Sequence, residues 1–210
     1  MFHASIAARL SKGPYAHRGC VAHAVSKDLV SWEVLPPVYA PGKFHDYEVP
    51  ELDKIGPKYY LLWSCMDAYV NHYETASRRR CCGTWYAVSD RPYEGFTEPE
   101  DNLIVGSGNG RWDNYVGRVL QIGGESLLFY FILGRSVVDY TSLSAPKTLR
   151  TTEDGALIAG YCAHMDGLKK RELTAGVRRE WVDSKKCLEG ETWSFSNRMI
   201  SAEVKGSFVL

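Results

Sequence analysis

Apolar and polar positions alternate along most of the patterned stretches of this chain, and none shows the 3.6-residue period of a long amphipathic helix. On that pattern Cys20 to Ser26, Leu29 to Val34 and Val49 to Leu52 read as strands. So do the denser apolar runs Tyr59 to Met66, Thr84 to Ser89, Tyr115 to Ile122 and Ser126 to Leu133. Turn chemistry separates them at Ser11-Lys12-Gly13-Pro14, Gly56-Pro57-Lys58, Asp90-Arg91-Pro92 and Gly123-Gly124. Pro36-Pro37 and Pro41-Gly42 break the pattern after Val34. Phe2 to Leu10 fits a strand or a helix. Ala156 to Cys162 has a weaker strand pattern, Lys169 to Glu180 fits a helix or a loop, and Trp193 to Leu210 alternates again.

A repeat runs through these strands. Ala24-Val25-Ser26-Lys27-Asp28 recurs, one residue shorter, as Ala87-Val88-Ser89-Asp90, at an offset of 87 − 24 = 63. Each copy follows a strand and precedes an aromatic segment expected to be extended, Ser31-Trp32-Glu33 and Tyr93-Glu94-Gly95-Phe96. Gly56 to Leu62 recurs loosely as Gly123 to Phe129, at an offset of 123 − 56 = 67. Thr141 to Pro146 reads as a weaker third copy of the serine turn. Four strands at such a period are the mark of a β-propeller, whereas an irregular β-sandwich does not require a matched Ala-Val-Ser turn.

Composition narrows the function classes. The 210 residues are 45% hydrophobic and 24% charged, an ordinary globular balance. Lys+Arg 25 cancel Asp+Glu 25, so no net field favours nucleic acid or an anionic membrane, and neither is expected as a partner. Aromatics at 12% suit β-structure and also the stacking of flat rings on sugars. The six cysteines form no Cys-x-x-Cys pair and read as free, mostly buried thiols. The N-terminal residues lack a basic region ahead of a long apolar core, so a cytoplasmic location is the default expectation. No stretch has the length and apolarity of a membrane span, and no cofactor or metal is expected.

Chemistry concentrates in His45-Asp46-Tyr47-Glu48-Val49-Pro50-Glu51-Leu52, between two strand-like runs. A carboxylate at the head of a strand, just before a proline, is fixed by backbone and free to face a cleft, as acid chemistry on a polar substrate requires. The competing reading is a solvated turn. That reading is preferred for His45, while Tyr47 alternates with Asp46 and Glu48 and is expected to face away from Glu48.

The order of segments carries a resemblance. Ala-Val-Ser-Lys-Asp-Leu-Val-Ser-Trp-Glu (residues 24–33), Leu35-Pro36-Pro37, a polar loop, Glu48-Val49-Pro50 and the Tyr59-Tyr60-Leu61-Leu62 strand together resemble glycoside hydrolase family 32 and the five-bladed propeller clan of furanosidases. The resemblance covers roughly residues 1–160. It implies an all-β fold, part of a five-bladed propeller of about two to three blades, with residues 161–210 forming a linker and the first strands of a β-sandwich. It implies a carbohydrate substrate, a fructoside or related furanoside, and gives Glu48 the place of the general acid. In such chemistry one carboxylic acid protonates the leaving oxygen while a second carboxylate attacks the anomeric carbon, about 5–5.5 Å away in a retaining enzyme. Glu48 must then be kept protonated by burial or a neighbouring negative charge, for which Asp46 is well placed in sequence. Trp112, Asp113, Tyr115 and Arg118 open the next blade and are expected to line the same cleft, Trp112 as a sugar platform or as core.

The sequence also departs from the family. The nucleophile of the family sits in Asn-Asp-Pro and its transition-state stabiliser in Arg-Asp-Pro; neither tripeptide occurs, and Asp90-Arg91-Pro92 has the order wrong. The chain reads as starting inside the third blade. The expectations are therefore a glycosidase-type site lacking its nucleophile in this chain, or a non-catalytic carbohydrate- or protein-binding propeller fragment. Exposed blade edges invite self-association in either case.

Weaker candidates are set aside. His23, Ser26 and Asp28 lie too close on one strand and turn to form a triad, and no Gly-x-Ser-x-Gly elbow exists. Gly106-x-Gly108-x-Gly110 has no helix after it, Arg78-Arg79-Arg80 reads as a solvated loop, and His17, His72 and His164 lack metal spacing.

Overall fold

The computed structural model describes residues 1–13, 17–65, 83–106, 114–132, 142–168, 177–182 and 185–190. By contacts the chain divides into Met1–Cys162 and Ala163–Leu210. The first unit is three antiparallel sheets in succession. Sheet 1 has the order β1 (Phe2–Arg9), β2 (Gly19–Ser26), β3 (Trp32–Tyr39). Sheet 2 has the order β4 (Glu48–Ile55), β5 (Lys58–Cys65), β6 (Gly83–Ser89), β7 (Leu103–Gly106). Sheet 3 runs from β8 (Asn114–Ile122) through β9 (Glu125–Ile132) to β11 (Lys147–Thr151) and β12 (Leu157–Tyr161), with the two-residue β10 (Ser142–Leu143) also pairing with β9. The second unit holds a 3-10 turn at Ala163–Leu168 and a hairpin of β13 (Val177–Val182) and β14 (Lys185–Gly190).

Period two in β5 explains why the sheets stack. Leu61, Trp63 and Cys65 join Val21, Val38 and Tyr39 of sheet 1, with Phe44, Tyr47 and Trp85, in one core. Tyr60 and Leu62 face the other way and pack with Leu128, Leu149 and Leu157 of sheet 3. Sheet 2 is thus covered on both faces, which is why β5 and β6 read as continuous apolar runs.

The repeat is visible in backbone and side-chain detail. Ser26, Ser89 and Thr152 stand at successive offsets of 63 (89 − 26 and 152 − 89), each at the turn between the last two strands of its sheet. Each hydroxyl accepts an N–H of its own turn, from Leu29, Arg91 and Ala156 respectively. The third copy therefore sits at Thr152, not at Thr141 to Pro146, of which Ser142 and Leu143 pair with β9 instead. The offset of 67 also holds: Gly56 and Gly123 open equivalent hairpins, both with φ 60°, which only glycine adopts at little cost. By this equivalence β1, β5 and β9 are second strands. Sheet 1 has no described strand in the place that β4 and β8 take in its sisters.

Three sequence expectations shift. Phe2 to Leu10 is a strand, β1. The strand placed at Leu29 to Val34 begins only at Trp32, because the hydrogen-bonded Ser26-Asp28 turn takes Leu29 to Ser31, and it continues through Pro36-Pro37. Prolines are tolerated there because β3 is an edge strand with no ladder bond to lose on its outer side. Tyr93 to Phe96 is not a strand: Pro92 and Tyr93 form the turn closed by the Arg91–Glu94 bridge, and the strand that follows β6 is Leu103–Gly106. The β13 strand falls partly in the stretch read as helix or loop, while Trp193 to Leu210 lies outside the described residues.

Candidate active site

The site is built from two strands with the same defect. In β4 the register slips between Glu48 and Glu51, and Val49 takes φ 45°. In β8 it slips between Tyr115 and Arg118, and Val116 takes φ 53°. These are bulges, each inserting one extra residue and turning both flanking side chains to one face. Glu48-Val49-Pro50-Glu51 and Tyr115-Val116-Gly117-Arg118 are separated by the repeat offset, 115 − 48 = 67. The repeat therefore sets the two bulges side by side, and their flanking residues meet.

Tyr115 Oη donates to Glu48 Oε2 at 2.5 Å. Arg118 Nη1 donates to the Val49 carbonyl at 2.8 Å and lies 3.6 Å from Glu51 Oε2. The Val119 N–H donates to Glu51 Oε2 at 3.1 Å. Each strand thus spends a side chain on the other strand's backbone.

Electrostatics follow from burial. Glu48 is half-buried, and desolvation raises its pKa; the nearby Asp46 charge raises it further, while the Tyr115 hydroxyl opposes the shift by stabilising the carboxylate. Asp46 is held in place by Arg9 of β1 at 3.0 Å and accepts the Tyr47 N–H. Burial also raises Glu51, against the Val119 N–H and Arg118. Asp53, on the same face, is pushed up to about 6 by burial and then by Glu51, with Arg118 opposing.

Tyr47 packs against Phe44 and Trp63, in the core opposite Glu48, and is fully buried. His45 is 2% exposed, which corrects the solvated-loop reading: the loop before β4 is packed beneath sheet 1, where Gly19 N–H donates to the Phe44 carbonyl. Neither ring is placed to meet a substrate. Trp112 and Asp113 lie outside the described residues. Ser26 and Asp28 bond each other in their turn, and His23 Nε2 lies 3.0 Å from His3 Nδ1 beneath Tyr93, so these three make no triad. Among the described residues no group of three or more His, Cys, Asp or Glu is arranged to hold a metal, and Cys20, Cys65 and Cys162 are in no disulfide.

Sequence reasoning missed the hydroxyl pair under the site. Ser64 stands opposite Glu48 across β4–β5, and Thr84 opposite Ser64 across β5–β6. Their oxygens are 2.9 Å apart, and Thr84 Oγ1 accepts the Gly117 N–H at 2.8 Å. The alignment of the two bulged segments at offset 67 was the available signal.

No protein-family model matches the chain, and no curated protein matches it in sequence. Solved structures do. The Bombyx mori GH32 β-fructofuranosidase BmSUC1 superposes with TM-score 0.59 at 16% identity, covering 84% of this chain and 38% of that one. Bacillus subtilis levansucrase gives TM-score 0.54 at 10% identity, covering 68% and 34%. The fold is part of a five-bladed β-propeller. The chain spans about a third of the length of these enzymes. At such identities the likeness shows the propeller fold, and sheets 1 to 3 are its blades.

Proposed function

We propose that this propeller segment carries the acid half of a furanoside-cleaving site of the β-fructofuranosidase type, with Glu48 as general acid. The observation that supports this is the Glu48–Tyr115 contact between inner strands: a half-buried carboxyl, biased toward its protonated form by burial and Asp46, held by one directed hydroxyl. A protonated carboxyl on a cleft-facing strand end can give its proton to a departing glycosidic oxygen and, as carboxylate, accept the Tyr115 hydrogen bond. Tyr115 orients Glu48, and Arg118 fixes the bulge from which Glu48 projects. Asp46, Asp113 and Trp112 complete the proposed sugar-binding set.

A substrate of fructoside type fits the fold likeness, one example of which is a variant of the Bombyx mori enzyme in complex with sucrose. Attack on the anomeric carbon needs a second carboxylate, and the Asn-Asp-Pro that supplies it in the family does not occur in this sequence. The test is calorimetric titration with sucrose, run beside hydrolysis of a chromogenic β-fructoside, for wild type and Glu48→Gln. Saturable sucrose binding, with any turnover abolished in Glu48→Gln, is the expected result. Neither binding nor turnover in wild type would overturn the reading for this chain.

A second reading, a non-catalytic binding module, is favoured by β1. Among the described residues its outer edge pairs with nothing, where the sister sheets carry β4 and β8. It has no charged residue before Arg9 and no proline, and Phe2 and Ile6 are exposed. Such an edge is a template for another strand, here that of a second copy.

A further inference from the structure

We propose that the buried Ser64–Thr84 hydroxyl pair is the positioning element of this site, holding the β8 bulge so that the Tyr115 hydroxyl lands on Glu48. The proposal deepens the reading of Glu48 as an acid and rests on it for its functional meaning.

A bulge leaves a backbone N–H outside the strand ladder, and a buried N–H without an acceptor is costly. In β8 that donor is Gly117 N–H, two residues from Tyr115, and it is satisfied by a side chain from another sheet, Thr84 Oγ1 at 2.8 Å. Thr84 is 0% exposed and Ser64 1%. Bulk solvent does not reach the bond, and each hydroxyl needs the other: Thr84 Oγ1 accepts from Gly117 and shares a proton with Ser64 Oγ at 2.9 Å. The fit is also steric. A Cβ at Gly117 would stand 3.2 Å from Thr84 Cγ2 and Oγ1 and 3.2 Å from Leu128 Cδ1, so the β8 backbone is seated directly on the threonine.

The other end of the pair lies at Glu48. Ser64 is the cross-strand partner of Glu48, so the row Glu48, Ser64, Thr84 crosses sheet 2 in register and ends on the bulge that bears Tyr115. One row therefore fixes both members of the Glu48–Tyr115 hydrogen bond relative to each other. The ties made by Arg118 and Glu51 sit on the far side of the bulges and are partly exposed, with side-chain exposures of 41% and 23%. The hydroxyl pair is the tie that solvent does not weaken.

The experiment reads the ionisation of Glu48 directly, by carboxyl carbon NMR titration with selective labelling, in the full chain. Because Tyr115 stabilises the carboxylate, any variant that pulls Tyr115 away raises the Glu48 midpoint. Thr84→Val, which keeps the shape and removes the acceptor, is expected to raise it as Tyr115→Phe does. The double variant is expected to show no more than Tyr115→Phe alone, and Thr84→Ser to titrate like wild type. An unchanged midpoint in folded Thr84→Val, or a rise that adds fully to that of Tyr115→Phe, overturns the proposal. Should Thr84→Val not fold, Ser64→Ala decides: a smaller rise in the same direction supports it, and no change overturns it. The readout needs no turnover, so a chain that neither binds sucrose nor cleaves the fructoside would remove the reading of Glu48 as an acid and leave this result standing.

Discussion

Glu48 shows how surroundings change the ionisation of one residue type. An exposed glutamate is ionised at neutral pH; burial and Asp46 move this one toward protonation, and a single tyrosine hydroxyl holds it back. Tyr115→Phe is expected to raise the Glu48 midpoint, because it removes the hydrogen bond that favours the carboxylate, as read by carboxyl NMR titration. Asp53 carries the clearest stability consequence. Its folded pKa of about 6 lies above the unfolded value, so between roughly pH 4 and pH 6 the folded state binds more protons. Its contribution is therefore fully present at low pH and is lost as pH rises through 6. Asp53→Asn is expected to stabilise the chain by about 1 kcal/mol at pH 7.5, after discounting for solvent screening, and to gain nothing below pH 4. Denaturant melts at the two pH values check the sign. Glu48 is legible in the sequence as a carboxylate in Glu-x-Pro at a strand head, whereas the burial of His45 is not. A polar loop pattern does not reveal that Gly19 of a distant strand presses on the loop backbone.

Elements behave as the alternation dictates wherever both faces of a strand have fixed environments. The sequence pattern places β5 and β6 almost to the residue because Lys58–Cys65 and Gly83–Ser89 are covered on two sides, and apolar content alone defines them. Edge strands were misjudged for the complementary reason. In β3, prolines stand in the strand because one side needs no hydrogen bonds, and Leu103–Gly106 is short and follows a turn with aromatic residues. Close approach of elements makes Gly19 critical. A Cβ there would stand 2.6 Å from the Phe44 carbonyl oxygen and 2.7 Å from His45 backbone atoms, on the segment that feeds β4. Gly19→Ala forces backbone movement and is expected to cost about 3 kcal/mol, measured by denaturant unfolding, and to disturb the Glu48 titration as well.

At the scale of the whole molecule, among the described residues the β1 edge is open where two sister sheets carry a first strand, β4 and β8. Concentration-dependent dimerisation of the chain is expected in sedimentation experiments, and Ile6→Lys, a charge in the middle of that edge, is expected to weaken it at least tenfold. A monomer at high concentration in both proteins would sink the second reading. The sequence by itself determined the all-β class, the strand positions with two buried faces, the repeat offsets of 63 and 67, and the carboxylate at the head of β4. Those are properties of local alternation, turn chemistry and self-similarity, which act over a few residues at a time. Only the tertiary structure decided that the two copies of one bulge lie side by side, that Tyr115 rather than His45 or Tyr47 meets Glu48, and that Ser64 and Thr84 support them. The physical reason is that these contacts span 20 to 67 residues of chain. They exist because distant strands pair within sheet 2 and because sheets 2 and 3 stack face to face, and no local pattern encodes which neighbour a side chain will meet.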